Sequence, residues 1–116
     1  QRRLAALRKN KIVSDDIAVL DPAKVGRPIT MIVEVTVERE RADLIDSFCR
    51  EIRGMPEVQQ CYGITGASDF ILIMTVKDMQ DYEQFTRRVF YDNANIRRFE
   101  SHVVMNRVKT GLYVPV

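Results

Sequence analysis

The sequence predicts an α+β fold in which two helices cover one face of a four-stranded antiparallel sheet. Three observations carry this. The 116 residues, 46% hydrophobic and 29% charged, suit one globular domain with a modest core. From Ile29 onward, stretches with the two-residue period of strands and the 3.6-residue period of helices follow one another as β-α-β-β-α-β. The two central strands are separated only by a short polar turn, Gly66-Ala67-Ser68-Asp69, as in a hairpin.

Ile29, Met31, Val33, Val35 and Val37 alternate with Thr30, Ile32, Glu34 and Thr36, the pattern of a strand with one strongly apolar face. From about residue 40 to 53, Ile45, Phe48, Cys49 and Ile52 recur at helical spacing, and Gly54 followed by Pro56 supplies the stop. Residues 58–65 read as a second strand. Residues 70–76, FILIMTV, read as a third, and their unbroken apolarity predicts burial on both faces near the sheet centre. Asp78 is placed to cap the next helix, whose inward stripe is Met79, Tyr82, Phe85, Val89 and Phe90, with Asp81, Glu83, Arg87 and Arg88 facing water. Asn93-Ala94-Asn95 reads as a turn, and a last strand is expected from about 97 to 109. This order is that of a ferredoxin-like sandwich. Its helices leave one sheet face uncovered, yet Ile32 and Val104 put apolar groups on the opposite parity to their neighbours. Face-to-face dimerisation is therefore expected.

Upstream, residues 16–20 read as a short strand stopped by Asp21-Pro22, with a loop to Pro28. The net charge of +2 conceals an asymmetry: residues 1–13 carry Arg2, Arg3, Arg8, Lys9 and Lys11 with no acid, leaving −3 for the rest. Leu4, Ala5 and Leu7 take one helical face and the arginines the other, the end of an amphipathic helix. A helix that begins uncapped at residue 1 without an initiator methionine is read as cut from something longer. Charge alone allows either a solvated surface helix or a nucleic-acid contact. No apolar run approaches the roughly 18 residues of a membrane span, and no signal-peptide h-region is present, so no membrane partner and a cytoplasmic location are expected.

Catalytic chemistry finds little purchase. His102 is the one histidine and falls on a strand, as a surface or interface residue. Cys49 and Cys61 lack CxxC spacing and read as reduced core thiols. Cys61 and His102 have no third partner by spacing, so no metal ligand set emerges, and Ser47 and Ser101 lack a triad context. Neither a P-loop nor a dinucleotide fingerprint is present, and no cofactor is expected. The Tyr82, Phe85 and Phe90 stripe is core by spacing; Tyr91, Phe99 and Tyr113 are candidates for an assembly interface. The chain is expected not to be an enzyme.

The segments PEVQQCYGITGASDFILIMTVKDMQDYEQFTRRVF and NIRRFESHVVMNRVK closely resemble the effector-binding RAM domain of the Lrp/AsnC (feast/famine) transcriptional regulators. Upstream, RRLAALRKNKIVSDDIAVLDPAKVG resembles that family's end of a DNA-recognition helix, the short strand after it and the D-P-x-x-x-G linker. The resemblance implies a division into 1–13, the remnant of a helix-turn-helix; 14–28, linker strand and loop; and 29–116, an effector-binding and oligomerisation domain. It also implies a homodimer that assembles further, often as an octamer of four dimers, and double-stranded DNA as partner of the full-length parent, with Arg2, Arg3 and Arg8 on or near phosphates.

The turn acquires a chemical reading in this light. Gly66 can take positive φ, so the N–H groups of Gly66, Ala67 and Ser68 can point outward together and hold a carboxylate. Asp69 supplies the opposite charge for an ammonium group, which suits a free amino acid. Family carry-over onto the T-G-x-x-D turn makes Thr65, Gly66, Ala67, Ser68 and Asp69 effector-binding residues at an interface between dimers, with Tyr62 as a pocket wall and Ser101 a further candidate. The same residues also make an ordinary hairpin, with glycine for positive φ and side-chain oxygens for backbone amides. Two other functions would suit a fold of this class. A small dimeric ferredoxin-like enzyme, such as a cofactor-independent monooxygenase, needs a polar cavity, whereas the inward positions here are mostly aliphatic. A stand-alone amino-acid sensor has no use for the basic helix remnant.

Overall fold

The computed structural model describes residues 17–115. Its elements are a 3₁₀ turn at Pro22–Val25, strand β1 at Ile29–Val37, helix α1 at Ala42–Arg53, strands β2 at Val58–Gly63 and β3 at Phe70–Val76, helix α2 at Met79–Thr86, and strand β4 at Ile96–Val103. The strands form one antiparallel sheet in the order β2-β3-β1-β4, the arrangement expected of a ferredoxin-like sandwich. The basic remnant expected at 1–13, including Arg2, Arg3 and Arg8, lies outside the described residues.

Alternation decides which side chains hold the layers together. Met31, Val33, Val35 and Val37 of β1 and Phe70, Leu72, Met74 and Val76 of β3 are buried, as are Phe48 and Ile52 of α1 and Tyr82 and Phe85 of α2. Burying one such large aliphatic or aromatic side chain contributes roughly 1.5–3 kcal/mol of transfer free energy, and alternate residues on the two central strands present this surface to the helices. Phe48 meets Phe70 with ring centroids 5.0 Å apart, and Phe90 meets Phe99 at 4.6 Å. Phe99 thereby packs against the core, while Tyr91 and Tyr113 are exposed.

The helix ends follow their residues. Asp78 accepts a hydrogen bond from the Asp81 N–H at 2.7 Å, the expected cap. Helix α2 runs on into a π-helical turn at Arg87–Tyr91. A wider turn lets the adjacent Val89 and Phe90 both reach the core, which regular helical spacing would not allow equally. Met79, expected inward, is exposed at the first position of the helix, one turn before the buried Tyr82.

Three boundaries differ from expectation. Residues 17–20 form no strand and Ile17, Val19 and Leu20 are exposed, so the expected linker strand is not formed over its described part. Alternation there lacks a partner among the described residues. The linker loop is instead ordered by the 3₁₀ turn, capped by Asp21, and by Arg27, whose Nε donates to the Thr75 hydroxyl at 3.0 Å. Strand β4 stops at Val103 rather than near 109, since its partner β1 begins at Ile29: the Val104 N–H bonds to the Thr30 carbonyl and the ladder ends. Strand β2 ends at Gly63, two residues early, because Ile64 and Thr65 already belong to the turn.

Candidate functional site

The register divides the expected site residues between two faces and one end of the sheet. Thr65 to Asp69 connect β2 to β3, at the end where β1 finishes. The Ile64 N–H donates to the Asp69 carbonyl at 2.9 Å, closing the turn, and the Asp69 N–H donates to the Val35 carbonyl at 2.9 Å, tying it to β1. Gly66 adopts φ +114°, a conformation that side-chain-bearing residues rarely take, and the space where a Cβ would stand is open. Its glycine therefore answers a backbone demand.

Asp69 is already engaged. Its Oδ2 accepts the Val37 N–H at 2.8 Å, beside the irregularity in register between Thr36 and Val37. The carboxylate thus takes the place of a strand partner for Val37, just before β3 begins at Phe70. Thr65, Gly66 and Ala67 are exposed, Ser68 and Asp69 half-buried. Among the described residues, the N–H groups of Gly66, Ala67 and Ser68 donate to no backbone or side-chain acceptor. Unpaired donors and an anchored carboxylate therefore coexist within four residues.

Tyr62 stands on the open face of β2, 52% exposed, and its hydroxyl donates to Gln60 Oε1 at 2.9 Å. Ser101 is not brought to the turn. It pairs with Val33 two strands away from β2, and its Oγ lies 2.5 Å from the hydroxyl of Tyr82, on the helix-covered side. Burial pushes the Tyr82 phenol above its ordinary value, and the bond to Ser101 partly offsets this. Burial likewise pushes the Cys61 thiol up, with the nearby Cys49 adding to it, which fits a free packing thiol rather than a nucleophile.

The open face carries what spacing alone did not reveal. Ile32, Ile71 and Ile73 are half-buried at its centre, and Glu34, Glu100 and His102 gather toward the β4 edge. Ser68 Oγ makes a long contact of 3.4 Å with Glu34 Oε1, so the turn borders this cluster. Strand register is the only signal that finds it: Glu34 and Glu100 are 66 positions apart in the chain but directly opposite in the sheet. The shallow clefts of the helix layer, one lined by Glu83, Thr86, Arg87 and Tyr91, involve none of the turn residues.

Comparison with known proteins gives this geometry a family. The model of the Lrp/AsnC ligand binding domain matches residues 30–114. The chain is 52% identical over 116 residues to an uncharacterized HTH-type transcriptional regulator of Sinorhizobium fredii, aligning all of this chain with 69% of that protein. It is 38% identical over 109 residues to another from Haemophilus influenzae, aligning 94% of this chain with 65% of that one. Among solved structures, a Neisseria meningitidis transcriptional regulator in complex with L-methionine superposes with a TM-score of 0.90 at 26% identity, covering 98% of this chain and 73% of that one. An AsnC family transcriptional regulator from Agrobacterium tumefaciens gives 0.88 at 25% identity, covering 98% and 74%. The described residues contain no helix long and apolar enough to cross a membrane. The chain belongs to the Lrp/AsnC family, with the family's ligand-binding domain at residues 30–114.

Proposed function

We propose that this chain is the effector-binding and assembly part of a transcriptional regulator, and that its 65–69 turn receives a free amino acid. The observation that carries the reading is the turn itself: the N–H groups of Gly66, Ala67 and Ser68 have no acceptor among the described residues, beside the carboxylate of Asp69. Donors of that kind suit an α-carboxylate, and Asp69 suits an α-ammonium. That the N. meningitidis neighbour was solved with L-methionine favours an amino acid over other small ligands.

In this reading the open sheet face, with Ile32, Ile71 and Ile73 at its centre, receives a second copy, and dimers assemble further, as in an octamer of four. The ligand then completes its pocket between dimers, with Tyr62 as a wall. By mass action it stabilises the arrangement that completes that pocket, which sets the spacing of DNA-binding heads on double-stranded DNA. Arg2, Arg3 and Arg8 contribute phosphate contacts in the parent, which acts in the cytoplasm where the DNA is. The mostly aliphatic and aromatic inward face supports binding rather than catalysis. Ser101 serves the Tyr82 contact in this scheme, not the ligand.

Isothermal calorimetry against the twenty amino acids, with light scattering across saturation, tests the reading. Saturable heat with one or a few, abolished in Asp69→Asn and accompanied by a change of mass or shape, is expected. No heat with any amino acid refutes the effector site and leaves the turn as a structural hairpin.

A further inference from the structure

Strand β4 lies at one side of the sheet and is eight residues long, so its outer edge is a row of main-chain groups without a partner strand. Pairing with β1 fixes which groups these are. The Val104 N–H donates to the Thr30 carbonyl, and the register runs unbroken from there to Arg98, so Arg98, Glu100 and His102 turn their N–H and carbonyl groups toward β1. Those of Phe99 and Ser101 therefore point away from the sheet, and among the described residues no other main-chain group meets them. An edge of this kind is a template for another strand.

The side chains beside this edge complement themselves. Arg98 and Glu100 are exposed on the same sheet face, and among the described residues neither has a salt-bridge partner. On the helix side, Tyr91 packs edge-on against Phe99 with ring centroids 5.5 Å apart, yet it is 71% exposed. An aromatic surface thus stands open next to unpaired backbone.

We propose that β4 pairs antiparallel with β4 of a second copy of this chain, about a two-fold axis at Phe99. Phe99 then meets Phe99 of the partner subunit as a hydrogen-bonded pair, which uses the outward N–H and carbonyl groups of both chains. Arg98 falls opposite Glu100 of the partner subunit, and Glu100 opposite the partner subunit's Arg98, in the non-hydrogen-bonded positions where facing side chains stand closest. Charge selects this register. An axis at Arg98 or at Glu100 would set each of those residues against its own copy, like charge against like. On the helix side the two Phe99–Tyr91 pairs come together at the axis and cover the exposed rings. The joint uses neither the 65–69 turn nor Ile32, Ile71 and Ile73 at the centre of the open face, so it is independent of the proposed amino-acid site and leaves the face-to-face contact free to form beside it.

Sedimentation velocity of the ligand-free chain, with two charge reversals, tests the joint. Arg98→Glu and Glu100→Arg each place like charges at both pairs, and each is expected to weaken the contact about tenfold or more and to lower the mass at a given concentration. An equimolar mixture of the two variants restores both opposite-charge pairs between unlike chains, and should regain the parent's mass. Tyr91→Ser, at an exposed position, should weaken the contact without altering charge, and gives the readout should a reversal fail to fold by circular dichroism. A parent chain that sediments as a monomer, folded variants that keep the parent's mass, or a mixture of folded variants that regains nothing would each overturn the proposal.

Discussion

Replacing Asp69 separates the two tasks assigned to one carboxylate. In Asp69→Ala the Val37 N–H loses its acceptor, a bond of 2.8 Å in a half-buried setting where Val37 itself is 7% exposed. A hydrogen bond to a charged group is worth about 1.5–3 kcal/mol, and partial access of water to the orphaned N–H favours the lower half, so about 2 kcal/mol of stability should be lost. For a domain of this size that is a fall of roughly 8 °C in Tm. In Asp69→Asn the amide oxygen can still accept, and the loss should be about 1 kcal/mol or less. The chain contains no tryptophan, so urea unfolding is followed by far-ultraviolet circular dichroism, with calorimetry on the same samples. Asp69→Asn should therefore fold and yet fail to bind an ammonium-bearing ligand. An Asp69→Ala variant as stable as the parent would refute the anchoring role. A folded Asp69→Asn variant with unchanged amino-acid affinity would refute the ammonium contact.

Two further substitutions probe the turn and the helix face. Gly66→Ala meets no atom within 4 Å of the new Cβ, so its cost is backbone strain alone at φ +114°; about 1–2 kcal/mol should be lost in urea unfolding, and a neutral result would mean the turn readily takes another conformation. Tyr82→Phe removes the hydroxyl partner of Ser101 and should cost about 1 kcal/mol at neutral pH. Because burial raises the folded-state pKa of Tyr82 above its ordinary 10.0, its contribution is fully present below pH 10 and is lost as pH rises through the folded value. The parent should therefore lose stability faster than Tyr82→Phe above pH 10, and parallel alkaline profiles would contradict this.

The central strands were legible because their signal is local. Alternation in Ile29–Val37 and unbroken apolarity in Phe70–Val76 predict a half-covered and a central strand, and the sheet order places β3 and β1 in the middle. The misread ends depend on partners. Residues 17–20 alternate as well as many strands do, but nothing among the described residues pairs with them, and the stretch after Val103 overruns the start of β1. The turn was legible as a turn, since Gly66 and Asp69 have strong local meaning. That Asp69 caps Val37, that Ser101 faces Tyr82, and that Glu34 meets Glu100 and His102 all depend on strand register, which spacing in the sequence does not specify.

The position of the turn bears on how binding there would reach the rest of the sheet. The far end of β1 is held from both sides. Asp69 grips Val35 and Val37 from the β3 side, while Asn95 accepts the Glu38 N–H on its carbonyl at 2.7 Å and exchanges side-chain bonds with the backbone of Arg39 at 2.9 and 3.0 Å from the β4 side. Between these two clasps lies the register irregularity of Thr36 and Val37, where the ladder is least regular. A ligand ammonium that shares the Asp69 carboxylate draws on the charge that also holds the Val37 N–H at Oδ2, and the strand end beside it is hydrogen-bonded to β4 and to the turn before it. Binding at the proposed site would therefore be linked to sheet geometry through one shared carboxylate. Mutual dependence follows: whatever assembly favours the ligand-competent turn is favoured by the ligand to the same degree.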